Sequence, residues 1–154
     1  GIADTDTYMK AGINVSIGTD GTASNNTLDM VEEMRFAALL PKGSLHNPEA
    51  VNARTALRMA TINGAKALGI HHLTGSLEVG KRADLIVIHA DASNMLPIYD
   101  AYSAIVYASN SKNIRSSMVN GKWIMRNREL LNIDKTGTME SMKHIVNSQT
   151  DNQK

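Results

Sequence analysis

Residues 15–30, VSIGTDGTASNNTLDM, form the stretch around which the rest of the chain is organised. The apolar run at residues 15–17 predicts a buried strand, and Asp20 follows at the carboxyl end of that strand. The polar residues 24–27 can cap the long amphipathic helix that is predicted to follow. In a barrel of parallel strands the catalytic groups lie at this end of each strand, so Asp20 is the first candidate functional residue.

The composition is that of an ordinary globular domain, with 154 residues, 42% of them hydrophobic and 20% charged. A net charge of +1 and few aromatic residues argue against a nucleic-acid partner. No apolar run approaches the length of a membrane span, and no leader-like segment opens the chain. Cysteine is absent, which excludes a thiolate zinc site and fits a reducing compartment. We therefore expect a cytoplasmic protein without nucleic-acid or membrane partners.

The first 73 residues predict an α/β region with one strand, at residues 13–17, followed by helices. The first expected helices are a short one around residues 8–11 that Asp4 or Asp6 caps, and an amphipathic one that begins after Asn26 and ends at Pro41 and Gly43. The next is a helix with Asn47 as N-cap and Pro48 at its first position. Asn63-Gly64 is a weak point where this helix can divide, and the second helix, at residues 65–68, is closed by Gly69. The strand needs parallel neighbours on both sides, and the chain offers few.

Residues 74–132 predict a mostly β region, and residues 133–154 a polar C-terminal helix or tail. The continuous apolar run at 83–88 predicts a strand that is covered on both faces. Asn120-Gly121, between two strand-like segments, predicts a β-hairpin. The other expected elements are a short helix at 99–108, hairpin strands at 114–119 and 122–126, a short strand at 129–131, a terminal helix through 139–146, and disorder at 148–154.

Two interpretations of Asp20 stay open at the level of the residues alone. A carboxylate at the end of a buried strand can bind a metal or accept a proton. The alternative is a turn residue that caps its own loop, and the spacing favours this alternative by roughly two to one. Thr19 and Ser24 lie close enough in sequence to orient the carboxylate or simply to cap the turn.

The five histidines do not add a metal site to this picture. A hydrolytic zinc site needs about three converging protein ligands. His46, His71, His72, His89 and His144 contain neither a His-x-His pair nor a pair four residues apart. Exposed or capping roles are therefore predicted for all five.

Four stretches resemble the C-terminal part of the metal-dependent amidohydrolases, in the branch of the 5-methylthioadenosine/S-adenosylhomocysteine deaminases and the chlorohydrolases. They are GINVSIGTDGTASNNTLDM at 12–30, EMRFAALL at 33–40, ATINGAKALG at 60–69 and GSLEVGKRADLIVI at 75–88. The first is similar to the eighth-strand region of the family, and the last to the strand pair that begins its β-sandwich. VNGK at 119–122 fits a hairpin of the same sandwich.

The resemblance implies a fold and a metal. The fold is α/β, the C-terminal end of a (β/α)8 barrel (residues 1–73) followed by strands of a β-sandwich (residues 74–132). In the family one divalent metal, zinc or iron with zinc favoured, is held by a His-x-His pair of the first strand, a histidine of the fifth strand and the eighth-strand aspartate. Asp20 matches that aspartate, so the resemblance implies that Asp20 is both a metal ligand and the catalytic acceptor of the proton of the attacking water. Asn25 and Asn26 match a polar loop that shapes the family's site, without an assigned role.

The chain departs from the family because the histidine ligands are missing. They would precede Gly1, so the resemblance implies the C-terminal third of a longer enzyme, inactive and without retained metal by itself. The whole enzyme would use a metal-activated water to deaminate an aminated purine nucleoside or a related heterocycle. We also expect the chain to form a homo-oligomer, because a lone barrel strand exposes its edges and apolar faces.

Two further functions remain as alternatives. One is another enzyme of the same branch, a chlorohydrolase or a guanine deaminase, because the strands that contact substrate are not in this chain. The other is a non-catalytic, β-rich interaction domain. A His-x-His pair encoded in frame upstream would favour the enzyme over the interaction domain.

Overall fold

The computed structural model describes residues 2–151. The helices are α1 (Thr5–Lys10), α2 (Met30–Ser44), α3 (Ala53–Met59), α4 (Ile62–Ala67), α5 (Ala101–Ser103) and α6 (Lys135–Asp151). A π-helical turn (Ala104–Ala108) continues α5, and a 3-10 turn (Ser111–Asn113) follows it. The strands are β1 (Leu85–Ile88), β2 (Ile114–Val119), β3 (Lys122–Arg126) and β4 (Glu129–Leu130). The described residues therefore form an α/β structure, as predicted: four helices come first, α5 and the two helical turns separate β1 from β2, and α6 follows the sheet.

The first helix confirms one of the predicted caps. The Asp4 side chain accepts a hydrogen bond from the Thr7 N–H at 3.1 Å, which satisfies a free donor of the first turn of α1. Gly12 follows α1 with a φ of +79°, a conformation that glycine adopts without strain.

The amphipathic helix α2 begins and ends later than predicted. Its N-cap is Asp29, whose carboxylate accepts from the N–H groups of Val31 and Glu32, so the capping role predicted for residues 24–27 is wrong. The helix also passes through Pro41 and ends at Ser44. Pro41 is buried, and its burial offsets the loss of the backbone hydrogen bond that a proline cannot donate.

The predicted helix start at Asn47-Pro48 is also wrong. The Asn47 side chain accepts from the Glu49 N–H at 3.0 Å and closes only a turn. The cap of α3 is Asn52, which accepts from the Thr55 N–H at 2.9 Å. Asn47 and Asn52 are equally suitable as N-caps from their sequence alone. The helix begins after Asn52 because Ala53 is buried in the core.

The strand predicted at residues 13–17 is not formed. A β-strand is defined by backbone pairing with a neighbouring strand, and residues 2–151 contain no strand that pairs with this segment. Its polar groups instead contact the helices. The Ile17 N–H donates to the Met59 carbonyl at 3.3 Å, and the Asn63 side-chain amide donates to the Val15 carbonyl at 3.0 Å. The segment therefore lies along the ends of α3 and α4.

The hydrophobic core lies where α2, α3 and the π-helical turn meet. Its buried members are Val31, Met34, Ala38, Val51, Ala53, Ala56, Met59 and Val106. The guanidinium of Arg35 also joins two of these elements, because it donates to the buried Ser109 carbonyl just after the π-helical turn.

The sheet has four antiparallel strands in the order β1-β2-β3-β4. The predicted hairpin is confirmed between β2 and β3, and its turn residues Asn120 and Gly121 both have positive φ, at 49° and 75°. The prediction that β1 is covered on both faces is wrong for the described residues. Ile86 and Val87 are 52% and 39% exposed, because no second layer packs on this strand within residues 2–151.

The C-terminal helix is longer than predicted. Disorder was predicted for residues 148–154, but α6 continues to Asp151, and residues 152–154 lie outside the described part. Met139, Met142 and Ile145 are each at least half exposed on this helix. None of the helices in the described range is both long and apolar enough to cross a membrane.

Candidate functional site

Asp20 lies in an exposed loop after the unpaired segment 13–17. Its φ is +59°, a left-handed conformation that costs energy for a residue with a side chain and is tolerated best by Asn, Asp and Gly. Local backbone strain of this kind is often found at functional sites. Here both carboxylate oxygens of Asp20 make hydrogen bonds, which help to hold the unusual backbone in place.

The hydrogen bonds of Asp20 fix its orientation and its charge. Oδ2 accepts from the Ser24 hydroxyl at 2.8 Å, and Oδ1 accepts from the Gly21 N–H at 2.7 Å. The Ser24 hydroxyl, followed by the Gly21 N–H, lowers the pKa of the Asp20 carboxyl below its ordinary value of 3.8. Ser24 therefore orients the carboxylate, which is one of the two roles predicted for it. Thr19 does not, because its hydroxyl donates to the Asp20 backbone carbonyl at 3.2 Å.

The loop after Asp20 is built around Asn25. Its side-chain oxygen accepts from the N–H groups of Thr27 and Leu28 at 3.0 and 3.2 Å, which closes a tight turn. Its side-chain amide donates to the Glu33 carboxylate at 2.6 Å and ties the turn to α2. Asn26 is exposed. Sequence reasoning missed Glu33, because a residue on the first turns of a helix usually faces solvent.

The histidines lie apart from Asp20 in sequence and in secondary structure. His46 follows α2 with a φ of +50°, and His89 follows β1. The rings of His71 and His72 meet edge to face at 6.0 Å, and His144 lies on α6.

A metal ion does not fit the described residues by themselves. Within residues 2–151, no three His, Asp or Glu side chains converge on a point where they could hold one. A hydrolytic zinc site needs about three protein ligands, and Asp20 provides a single carboxylate. The loop therefore presents one oriented anion, which is too few ligands for a metal ion by itself.

Comparison with known proteins identifies the family. The sequence profile of the Amidohydrolase family matches residues 1–124. A 5-methylthioadenosine/S-adenosylhomocysteine deaminase of Acetivibrio thermocellus is 46% identical over 146 residues, 95% of this chain and 34% of that protein. A 5′-deoxyadenosine deaminase of Methanosarcina barkeri is 46% identical over 140 residues, 91% of this chain and 32% of that protein.

Solved structures agree with these relatives. An adenosine deaminase from Xanthomonas campestris with bound zinc matches with a TM-score of 0.91 and 37% identity, over 94% of this chain and 33% of that one. A zinc complex of the atrazine chlorohydrolase from Arthrobacter aurescens matches with a TM-score of 0.80 and 31% identity, over 98% of this chain and 32% of that one.

The chain spans about a third of the length of the relatives it matches. The matches nevertheless cover most of the chain itself, and they include the loop of Asp20 and the segment 75–88. The chain belongs to the amidohydrolase family.

Proposed function

We propose that this chain supplies the C-terminal part of a metal-dependent hydrolase that deaminates an aminated purine nucleoside, of the type of 5-methylthioadenosine or S-adenosylhomocysteine. The 46% identity to a deaminase named for these two substrates carries the proposal. The second relative, named for 5′-deoxyadenosine, supports the same class of substrate, an adenosine modified at its 5′ position.

The proposed architecture assigns the two halves of the chain to different parts of the whole protein. Residues 1–73 are the last βα part of the barrel and the helices after it, residues 74–132 belong to the β-sandwich, and residues 133–154 follow them. The exposed apolar side chains of Ile86 and Val87 on β1 and of Ile13 in the unpaired segment support this division, because a covering layer from the rest of the protein would bury them. The complete protein is a cytoplasmic homo-oligomer in this proposal.

Asp20 is the catalytic residue and one metal ligand in the proposed enzyme. Its support is the exposed carboxylate that Ser24 and Gly21 hold anionic and oriented. The metal is divalent, zinc before iron, and its other ligands come from residues outside this chain. We infer that the chain alone neither retains the metal nor deaminates a nucleoside, because a single carboxylate is too weak a site.

A chimera tests the proposal. In the deaminase of Acetivibrio thermocellus, this chain replaces the matching 34% of the protein. We expect the purified chimera to contain about one zinc ion per chain and to release ammonia from 5-methylthioadenosine. Asp20→Asn should lower kcat by at least about 100-fold, whereas Asn26→Ala, in the same loop, should leave it nearly unchanged.

Two results would overturn the proposal. One is a well-folded chimera that binds zinc but leaves 5-methylthioadenosine and S-adenosylhomocysteine intact. The other is stoichiometric zinc and ammonia release in the 154-residue chain alone, because the metal site would then be complete without outside ligands.

A chlorohydrolase is the second candidate, favoured by the structural match to atrazine chlorohydrolase at a TM-score of 0.80. The same chimera separates the two functions. Chloride release from a chlorinated triazine, without ammonia release from a nucleoside, would favour the chlorohydrolase.

A further inference from the structure

A basic cavity lies at one end of the sheet, away in sequence from the loop of Asp20. It is open to solvent, has a volume of about 300 Å³ and is lined by five exposed residues: His89, Lys112, Arg115, Asn127 and Arg128. These residues come from the end of β1, the 3-10 turn, β2 and the turn between β3 and β4. We call them the basic cluster. None of them lies in the loop of Asp20, so the proposed deaminase chemistry, which rests on that loop, does not use them.

The positive charge of the basic cluster is not compensated. Its lining contains three permanent cations and a histidine, and no acidic side chain. Ion pairs among residues 2–151 join Lys10 to Asp6 and Lys81 to Glu78, and neither involves the cluster. Three like charges around one cavity repel one another, and an anion between them removes that repulsion.

Two of the cations are held in place by hydrogen bonds that leave donors available. Arg128 Nη1 donates to the carbonyls of Ser111 and Ile114 at 3.0 and 3.1 Å. Arg115 Nε donates to the Asn127 side-chain oxygen at 2.9 Å. Within the described residues these bonds use one nitrogen of each guanidinium, so each keeps further N–H groups for a ligand. A ligand therefore meets cations whose rotamers are already restricted, and less entropy is lost on binding.

Two members of the cluster form the two-residue hairpin turn between β3 and β4. Asn127 and Arg128 have φ values of 50° and 72°, as a turn of this kind requires at both central residues. The Asn127 N–H donates to the buried Ser116 hydroxyl at 3.1 Å, and the Arg128 N–H donates to the Arg115 carbonyl at 2.8 Å. These bonds keep the turn between β3 and β4 closed over β2, which brings the side chains of Arg115 and Arg128 to one cavity.

We propose that the basic cluster binds the phosphate group of a small molecule. The guanidinium groups of Arg115 and Arg128 are planar donors that match the geometry of phosphate oxygens, and the ammonium group of Lys112 adds a compact positive charge. The opening of the cavity to solvent leaves room for a small organic group attached to the phosphate. A nucleic acid does not fit as well, because the lining has no aromatic side chain on which a base could stack.

Calorimetric titration of the 154-residue chain with inorganic phosphate, at constant ionic strength in chloride buffer, tests the proposal. We expect saturable binding of one phosphate per chain. Lys112→Gln and Arg115→Gln should each weaken it by about tenfold, because each removes a charged donor. Lys122→Gln removes the same charge from an exposed site on β3 and should change the affinity by less than about twofold.

A second titration, with glycerol 3-phosphate, identifies the form of the ligand. Tighter binding than that of inorganic phosphate assigns the site to a phosphomonoester, and equal affinity assigns it to free phosphate. The proposal is overturned if neither compound binds saturably, or if Lys122→Gln weakens binding as much as Arg115→Gln. Circular dichroism of each variant verifies that the sheet is intact, so a loss of affinity cannot be mistaken for unfolding.

Discussion

The Asp84 carboxylate accepts a hydrogen bond from the Asn120 backbone N–H at 2.6 Å, across 36 positions of the chain. Its other oxygen accepts from the Thr74 hydroxyl at 2.7 Å. The neighbouring Gly121 N–H donates to the Ala83 carbonyl at 3.1 Å. One side chain thus joins the segment before β1 to the turn of the β2–β3 hairpin, which gives the aspartate of GKRADL a structural role.

We predict that Asp84→Asn makes the protein less stable at pH 7 and less sensitive to acid. The Asn120 N–H, followed by the Thr74 hydroxyl, lowers the pKa of the Asp84 carboxyl below its ordinary value of 3.8. A carboxyl with a lower pKa in the folded state stabilises the fold above its unfolded pKa, and this contribution is lost as the pH falls through the folded pKa. The midpoint of urea unfolding, followed from pH 7 to below 3.8, measures the effect.

The difference in stability between wild type and Asp84→Asn should narrow as the pH falls. Asp91→Asn is the matched control, because Asp91 is exposed and makes no hydrogen bond within the described residues. A constant difference across the pH range would contradict a stabilising role for the charged form of Asp84.

Substitutions at Gly75 and Gly80 separate two effects of an added side chain, namely steric overlap with α4 and strain of the backbone. Their φ values are +93° and +92°, so an added side chain strains both positions equally, by roughly 1–2 kcal/mol. A Cβ at Gly75 would also lie 2.7 Å from the Ala65 Cβ and 3.0 Å from the Ile62 Cα of α4, whereas a Cβ at Gly80 meets nothing within 4 Å.

We predict that Gly75→Ala lowers the free energy of unfolding more than Gly80→Ala does, by about 1–3 kcal/mol, because of this overlap with α4. Urea unfolding of the two variants measures the difference. Equal losses would mean that the loop at residue 75 moves away from α4 without cost.

The hairpin could be predicted from sequence because its cause is local. Asn120 and Gly121 are residues that tolerate positive φ, and their turn sets the register of the strands on both sides. The strand at residues 13–17 could not be predicted reliably in the same way, because a strand requires a partner. The burial of β1 failed for a similar reason. Its apolar sequence indicates that both faces of the strand have to be covered, but the described residues leave Ile86 and Val87 exposed.

The candidate site was predicted in part for the same reason. Ser24 lies four residues after Asp20, and this short spacing was enough to suggest the hydrogen bond that the structure contains. The basic cluster has no such signal in the sequence, because His89 is 23 or more positions before its other members and meets them only through the sheet. The fold, and not the spacing, creates that cavity.

We predict that Met59→Ala lowers the free energy of unfolding by about 2–5 kcal/mol, because it removes a fully buried side chain and leaves a cavity. Met142→Ala is the matched control on α6, where the side chain is 61% exposed, and its effect should stay within about 0.5 kcal/mol. Urea unfolding of both variants tests whether the core between α2 and α3 carries the stability. Similar losses for the two substitutions would contradict this location of the core.

The last prediction concerns the charge of the candidate catalytic residue. Ser24→Ala should raise the pKa of the Asp20 carboxyl toward 3.8, because the Ser24 hydroxyl is the largest cause of the lowered value. Thr19→Val is the matched control: it also removes a hydroxyl, but one that donates to the Asp20 backbone carbonyl, so the pKa of the carboxyl should barely change. The carboxyl ¹³C chemical shift of Asp20, followed by NMR as a function of pH, measures both values. If Thr19→Val raised the pKa as much as Ser24→Ala, the backbone conformation at Asp20 would control its charge, and Ser24 would lose its proposed role in orienting the carboxylate.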